Sequence, residues 1–164
     1  MIKPLFQKII VAVNGSERSV HAAMYGIMMA KQFRCDLKAV YVVDTATIRQ
    51  LTLTKFFVSE EGADFETNLT EDGNRYLNYV ISLAKQKGVK IETELRKGSV
   101  FSEIIKAADD YKASAILLGG KEHETAFSGN RDTISATNGD IIANARCNVL
   151  VVREPDIEKL FKIA

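Results

Sequence analysis

The chain has 164 residues, 46% hydrophobic and 26% charged, and 22 basic against 21 acidic side chains leave a formal net charge of +1. That length suits one domain, residues 1–164, able to bury a continuous core without disulfide or metal staples. The balanced charge excludes a whole-chain attraction to nucleic acid, and ten glycines with two prolines exclude a collagenous or linker-dominated chain.

The apolar runs Ile9–Val13 and Ala39–Val43 fall far short of the about 20 residues that cross a bilayer, so no membrane insertion is expected. The opening Met1-Ile2-Lys3-Pro4-Leu5-Phe6-Gln7-Lys8 lacks the apolar stretch and small-residue cleavage site of a secretory signal. Cys35 and Cys147 stand apart, with no C-x-x-C pair and no histidine at metal-ligand spacing. Both read as reduced core residues of a cytoplasmic protein, and no metal site is expected.

Ile9-Ile10-Val11-Ala12-Val13 is a β-branched run ending in Asn14-Gly15-Ser16, the profile of a strand buried on both faces and followed by a turn. From Glu17 to Phe33 the apolar positions Val20, Ala23, Met24, Ile27, Met28 and Ala30 recur at helical spacing, with Ser16 as N-cap and the methionines as core or interface filler. Asp36 to Val43 repeats the strand signature and Asp44-Thr45 closes it. The next helix is expected over Asn68 to Lys87, with Gly88 as its stop.

The 44–68 stretch is long for a connection and contains Ile48, Leu51, Leu53, Phe56, Phe57 and Val58. It reads as a short helix capping a site, a surface for a second subunit, or a loop folded on its own core. Val89 to Leu95 alternates apolar and charged residues, as in an edge strand with one wet face. Gly98-Ser99 opens a helix through Tyr111, with Ser99, Ser102 and Glu103 supplying capping chemistry.

Ala113 to Leu118 is a further buried strand ending in Gly119-Gly120; a long polar loop then leads to a helical face of Ile134, Ile141, Ile142 and Ala145 and a last strand, Asn148 to Val152. With the core at about 8–153, the tail 154–164 reads as a short amphipathic helix that docks on a neighbour or frays. Alternating strands and helices specify an α/β, doubly wound parallel sheet with helices on both faces. Ligands of such sheets lie at the strands' carboxyl ends, here Asn14-Gly15-Ser16, Val42 to Thr45 and Gly119-Gly120-Lys121.

Ile10-Val11-Ala12-Val13-Asn14-Gly15-Ser16-Glu17-Arg18-Ser19 resembles the "ILVAVDGSEHS" opening of the universal stress protein family, and Val42-Val43-Asp44 resembles its second-strand end. Ala145-Arg146-Cys147-Asn148-Val149-Leu150-Val151-Val152-Arg153 is similar to the family's "APCPVLVVR", so the resemblance spans about Lys8 to Arg153. It implies a five-stranded sheet of order 3-2-1-4-5 and a homodimer paired through the last strand, with Val149 and Val151 as candidate interface residues. In one branch it also implies ATP at the strands' carboxyl ends.

That branch carries G-x(2)-G-x(9)-G-[ST] after the fourth strand, where glycine amides approach the phosphates and a helix N-terminus completes an anion site. Gly119 fits the first position, but Glu122 stands at the second, and aligning on Ala145-Arg146-Cys147 puts Ser135-Ala136 at the third, three residues beyond the pattern. Lys121, Ser128-Gly129-Asn130 and Ser135 are the substitutes that would rebuild a phosphate site. Asn14 replaces the family's usual aspartate and can still bond a ribose or adenine while making an Asx-type turn with Ser16. The candidate nucleotide-binding residues are therefore Val13, Asn14, Ser16, Val42, Gly119, Gly120, Lys121, Gly129 and Ser135.

Plainer roles stand beside these. Asn14-Gly15-Ser16 serves as turn and N-cap, and Gly119-Gly120 lets the chain leave a buried strand. His21 sits in the first helix without a His, Cys or Asp partner at ligand spacing, and Glu122-His123-Glu124 reads as a solvated loop. No Walker A, H-E-x-x-H or G-x-S-x-G motif occurs.

The expectation is a dimeric binding or signalling module of the stress response, non-catalytic or at most a slow ATPase, with a degenerate ATP motif and no certain cofactor. An ATP- or AMP-binding form with a rebuilt phosphate loop is the alternative. A flavodoxin-like flavin carrier is the second alternative, with Tyr41 or Phe57 for stacking and only Ser16 and Ser19 in its phosphate loop.

Overall fold

The computed structural model describes residues 2–54, 58–120 and 135–164. Strand β1 (Lys8–Val13) leads through α1 (Glu17–Phe33) to β2 (Asp36–Asp44); α2 (Thr45–Leu53) and α3 (Ser59–Gln86) then lead to β3 (Ile91–Gly98). The order continues as α4 (Val100–Tyr111), β4 (Ala115–Gly119), α5 (Ala136–Asn144), β5 (Asn148–Val152) and α6 (Ile157–Ile163). The strands form one sheet, β3-β2-β1-β4-β5, and every pairing is parallel, as expected.

Successive strand residues point to opposite faces, so an uninterrupted apolar run feeds two cores at once. Ile9, Val11, Leu37, Ala39 and Leu117 pack with α1, α3 and α6, while Ile10, Val40, Ile116 and Leu118 pack with Ile104 of α4 and Ile141 of α5. Met24 and Met29 are buried in the first core and Met28 packs against it, which makes the methionines core filler. Cys35 is buried and Cys147 half-buried, both as free thiols. Burial pushes both thiols above their ordinary value, so neither is an activated nucleophile.

Four local expectations are corrected. Helix α3 begins at Ser59 rather than Asn68. Its first turns, Ser-Glu-Glu-Gly-Ala-Asp-Phe-Glu, bury only Gly62, against Thr52 and Ile48 of α2, so they show no apolar stripe. The acidic first turn, Glu60 and Glu61, is the readable start signal. Within the 44–68 stretch the short-helix expectation is met by α2; Phe56 and Phe57 lie outside the described residues.

Strand β3 does lie at an edge, but only part of its charged face is open to water: Glu92 is exposed, while Glu94 and Arg96 are half-buried. Lys38 Nζ lies 2.6 Å from Glu94, and Arg96 bonds Glu94 at 2.8 Å and Glu103 at 2.9 Å. Burial raises the Glu94 carboxyl, yet Lys38 and Arg96 outweigh it and hold the group below its ordinary value. Ser99 occupies the N-cap of α4 without a side-chain cap bond, contrary to expectation, and the Glu103 side chain is engaged by Arg96.

The tail packs on the chain's own core instead of fraying. Ile157 and Phe161 are buried there, and Lys87 Nζ reaches the Ala164 carbonyl oxygen at 2.9 Å and lies 4.8 Å from the Phe161 ring centroid. Sequence spacing within α1 could not show the partner of His21, which comes from α6. His21 Nε2 stands 3.1 Å from Glu158 and 3.8 Å from Glu17, joining α6 to the start of α1. No helix among the described residues is long and apolar enough to cross a membrane.

Tyr111 closes the amino-terminal end of the sheet under Lys8 and Lys38, whose Nζ atoms lie 4.9 and 5.2 Å from its ring centroid. Its buried hydroxyl has no hydrogen-bond partner among the described residues, and burial, then Glu92 and Asp36, push the phenol up to about 12. Tyr111→Phe is therefore expected to be at least as stable as the parent near neutral pH, because it removes an unsatisfied group. The raised phenol stabilises the fold fully below its ordinary value of 10 and loses that contribution as the pH rises to about 12. Denaturant melts across that window should show an alkaline decline in the parent that is flatter in the variant; a variant weakened by more than about 1 kcal/mol near neutral pH would mean the hydroxyl is bonded.

Candidate functional site

The carboxyl ends of β1, β2 and β4 open into a cavity of about 450 Å³, flanked by residues of α3, α4 and α5. It is built upward from the turn after β1. Asn14 Oδ1 accepts from the Ser16 amide at 2.9 Å, which is the Asx turn expected, and Ser16 Oγ caps α1 by accepting from Ser19 N–H at 3.1 Å. Ser19 Oγ donates to the Ser16 carbonyl at 2.9 Å and accepts from Asn14 N–H at 3.2 Å. With Oδ1 held in the turn, the Asn14 amide nitrogen is what this position offers a ligand, a donor where aspartate would bring charge.

Gly15 has φ +83°, and a Cβ there would lie 2.7 Å from Tyr76 Cε2, so conformation and space both require glycine. Gly119 is required for a different reason. A Cβ on it would stand 2.5 Å from the Arg18 carbonyl carbon and 2.7 Å from the Ser19 nitrogen, so it lets the first turn of α1 cross the end of β4. At Gly120 the nearest described atom to such a Cβ is the Val152 oxygen at 3.4 Å, ordinary contact, and its amide donates to that oxygen at 3.2 Å.

Helix α5 brings its positive end to the same place. Ser135 Oγ accepts from Asn138 N–H at 3.1 Å, and Asn138 Nδ2 donates to the Gly119 carbonyl at 2.8 Å, tying α5 to β4. Ser135, Thr137 and Asn138 all line the cavity. On the far side Asp44 caps α2, accepting from Thr47 N–H at 3.0 Å and Thr47 Oγ1 at 2.7 Å. Asp44 is the only acidic or basic side chain among the described lining residues, so the donors found here are amides, hydroxyls and a helix end.

The structure gathers Val13, Asn14, Ser16, Val42, Gly119, Gly120 and Ser135 around one cavity. Lys121, Gly129, Ser128, Asn130 and the Glu122-His123-Glu124 triplet lie outside the described residues. Sequence reasoning missed Ala12, Ser19, Leu69 and Asn138 as lining residues. Ser19 had a signal, its place three residues after the Ser16 cap; Leu69 had none beyond its place on a helical face. Val149 and Val151 are half-buried in the outer strand β5, whereas Leu150 between them is 36% exposed.

Comparison with known protein families matches residues 5–153 to the universal stress protein family. A universal stress protein of Methanocaldococcus jannaschii is 34% identical over 157 residues, covering 94% of this chain and 86% of the relative. Among solved structures, a universal stress family protein from Burkholderia pseudomallei superposes with a TM-score of 0.71 at 22% identity, over 92% of this chain and 98% of the other. The universal stress protein from Archaeoglobus fulgidus in complex with dAMP gives 0.60 at 17% identity, over 91% and 99%.

Proposed function

The chain belongs to the universal stress protein family, and from that premise we propose that it is a cytoplasmic, non-catalytic sensing module whose cavity holds an adenine nucleotide. The observation that carries this reading is the convergence of three parallel strand ends and the N-terminus of α5 on one cavity lined by amide- and hydroxyl-bearing residues. A protein of this fold from Archaeoglobus fulgidus bound to dAMP supports the ligand class. The non-catalytic role is supported by the lining itself: it includes no histidine or cysteine among the described residues, and both oxygens of Asp44 are engaged by Thr47.

A second reading is the nucleotide-free module, which the Ser135-Ala136 and Glu122 departures from the phosphate motif favour. In either form the outer edge of β5 suits pairing with a second copy. It is an unpaired strand edge among the described residues, with Leu150 and Ile142 of α5 36% and 42% exposed beside it.

Purification without added ligand, denaturation, and identification of released molecules by ultraviolet absorbance and mass spectrometry decide between these readings, followed by calorimetric ATP titration. Co-purified adenine nucleotide, or saturable ATP binding, is the expected result. No release and no binding would leave the nucleotide-free module, and a released flavin would overturn both. Light scattering at micromolar concentration should give twice the chain mass of 18.2 kDa; a monomer would refute the β5 pairing.

A further inference from the structure

Away from the cavity, where α6 meets the start of α1, Glu17, His21 and Glu158 each bring one metal-ligating atom to a common point, and the three atoms all lie within 4.8 Å of one another. Glu17 and His21 stand one helical turn apart on α1 and so share a face of it. Helix α6 lays Glu158 against that face because its neighbours Ile157 and Phe161 are buried in the core. The imidazole is the fixed member of the three. Its side chain is only 14% exposed, its Nδ1 is buried without a hydrogen-bond partner among the described residues, and its Nε2 faces both carboxylates. The Glu17 and Glu158 side chains are 74% and 60% exposed, which leaves them room to adjust.

A tetrahedral zinc ion with bonds of about 2 Å holds its ligand atoms about 3.3 Å apart. The separations from His21 Nε2, 3.1 Å to Glu158 and 3.8 Å to Glu17, bracket that value. One imidazole and two carboxylates suit a first-row divalent cation and leave its fourth position to water. Charge favours the ion as well. His21 is the only ion-pair partner of either carboxylate among the described residues, and a single imidazolium would balance half of the charge that a divalent ion balances in full. We propose that Glu17, His21 and Glu158 form a zinc site that staples the C-terminal helix α6 to α1. Since Nδ1 has no acceptor among the described residues to hold the ring from behind, the affinity expected is micromolar, weaker than that of a site with such a partner.

Calorimetric titration of zinc chloride into the tag-free full chain, stripped of metal beforehand with a chelator, tests the staple, with melting curves and hydrogen exchange in both states. One ion per chain is expected, with slowed exchange across residues 157–163. At free zinc 100-fold above the dissociation constant the melting temperature should rise by about 5 to 11 °C. Glu17→Gln removes one ligand but keeps the His21–Glu158 contact. It should melt with the metal-free parent, because an exposed pair contributes little, and bind zinc at least about 10-fold more weakly. Glu158→Gln should bind as weakly and lose the protection of α6, whereas His123→Ala, which removes the chain's other histidine, should bind like the parent. Absence of saturable binding in the micromolar range would overturn the proposal. So would zinc binding that survives Glu17→Gln and Glu158→Gln unchanged, that is lost in His123→Ala, or that leaves exchange in α6 unaltered. None of these outcomes bears on the nucleotide reading, because none of the three residues lines the cavity.

Discussion

Replacing Gly119 with alanine is expected to lower the melting temperature by about 2 to 12 °C and to abolish the native approach of α1 to β4. The new Cβ would meet backbone, the Arg18 carbonyl group and the Ser19 nitrogen at 2.5 to 2.7 Å, and backbone in the first turn of a helix cannot swing aside as a side-chain tip can. Overpacking of this kind costs about 1 to 3 kcal/mol, and a chain of this size loses about 2 to 4 °C per kcal/mol. The shift would also displace Ser19 and Asn14, which are bonded to each other at the cavity mouth. Gly120→Ala is the control, since its Cβ would find ordinary contact at 3.4 Å among the described residues. Thermal melts of the two variants should separate clearly; equal melting temperatures would mean that α1 does not cross at Gly119.

Ala12→Leu should weaken ATP binding by about 5- to 150-fold without lowering stability comparably. Ala12 is half-buried at the carboxyl end of β1, lines the cavity and packs toward the α4 side of the sheet. A leucine there has empty volume to occupy in the free protein, where burying its extra apolar surface is favourable. A nucleotide would have to displace it, and an overpacking penalty of about 1 to 3 kcal/mol becomes that loss of affinity at 1.4 kcal/mol per tenfold. Unchanged affinity would place the ligand elsewhere.

The contrast between these positions shows what the chain's letters make legible. The parallel, helix-covered sheet was legible in β-branched runs that feed two cores at once, its strand order only through the family resemblance, and the Asn14-Gly15-Ser16 turn in the bonding habits of its side chains. Gly119 was legible as a glycine that matters, but not as the point where Arg18 crosses it, because that contact joins residues far apart in sequence. The early start of α3 was hidden because a solvent-facing extension needs no apolar stripe. The role of His21 was illegible because it is set by a neighbour from another element, Glu158 of α6.

The site divides along the same line. Residues fixed by local turns, Asn14, Ser16 and Ser135, were identified from spacing and capping rules, and each makes the local bond those rules describe. Asn138 was not, since its value lies in the bond to the Gly119 carbonyl that holds the α5 terminus over the strand end. That bond makes the helix terminus part of the cavity, and it explains how donors for an anionic ligand gather among described lining residues that include no lysine, arginine or histidine.

Hydrogen exchange followed by mass spectrometry, with and without saturating ATP, tests the central claim most directly. Binding in the cavity predicts slowed exchange together at residues 12–19, 41–45, 118–120 and 135–141, with the Tyr111 end of β2 and β3 unchanged. Protection confined to the amino-terminal end of the sheet, or no protection at an ATP concentration far above that of the protein, would contradict it.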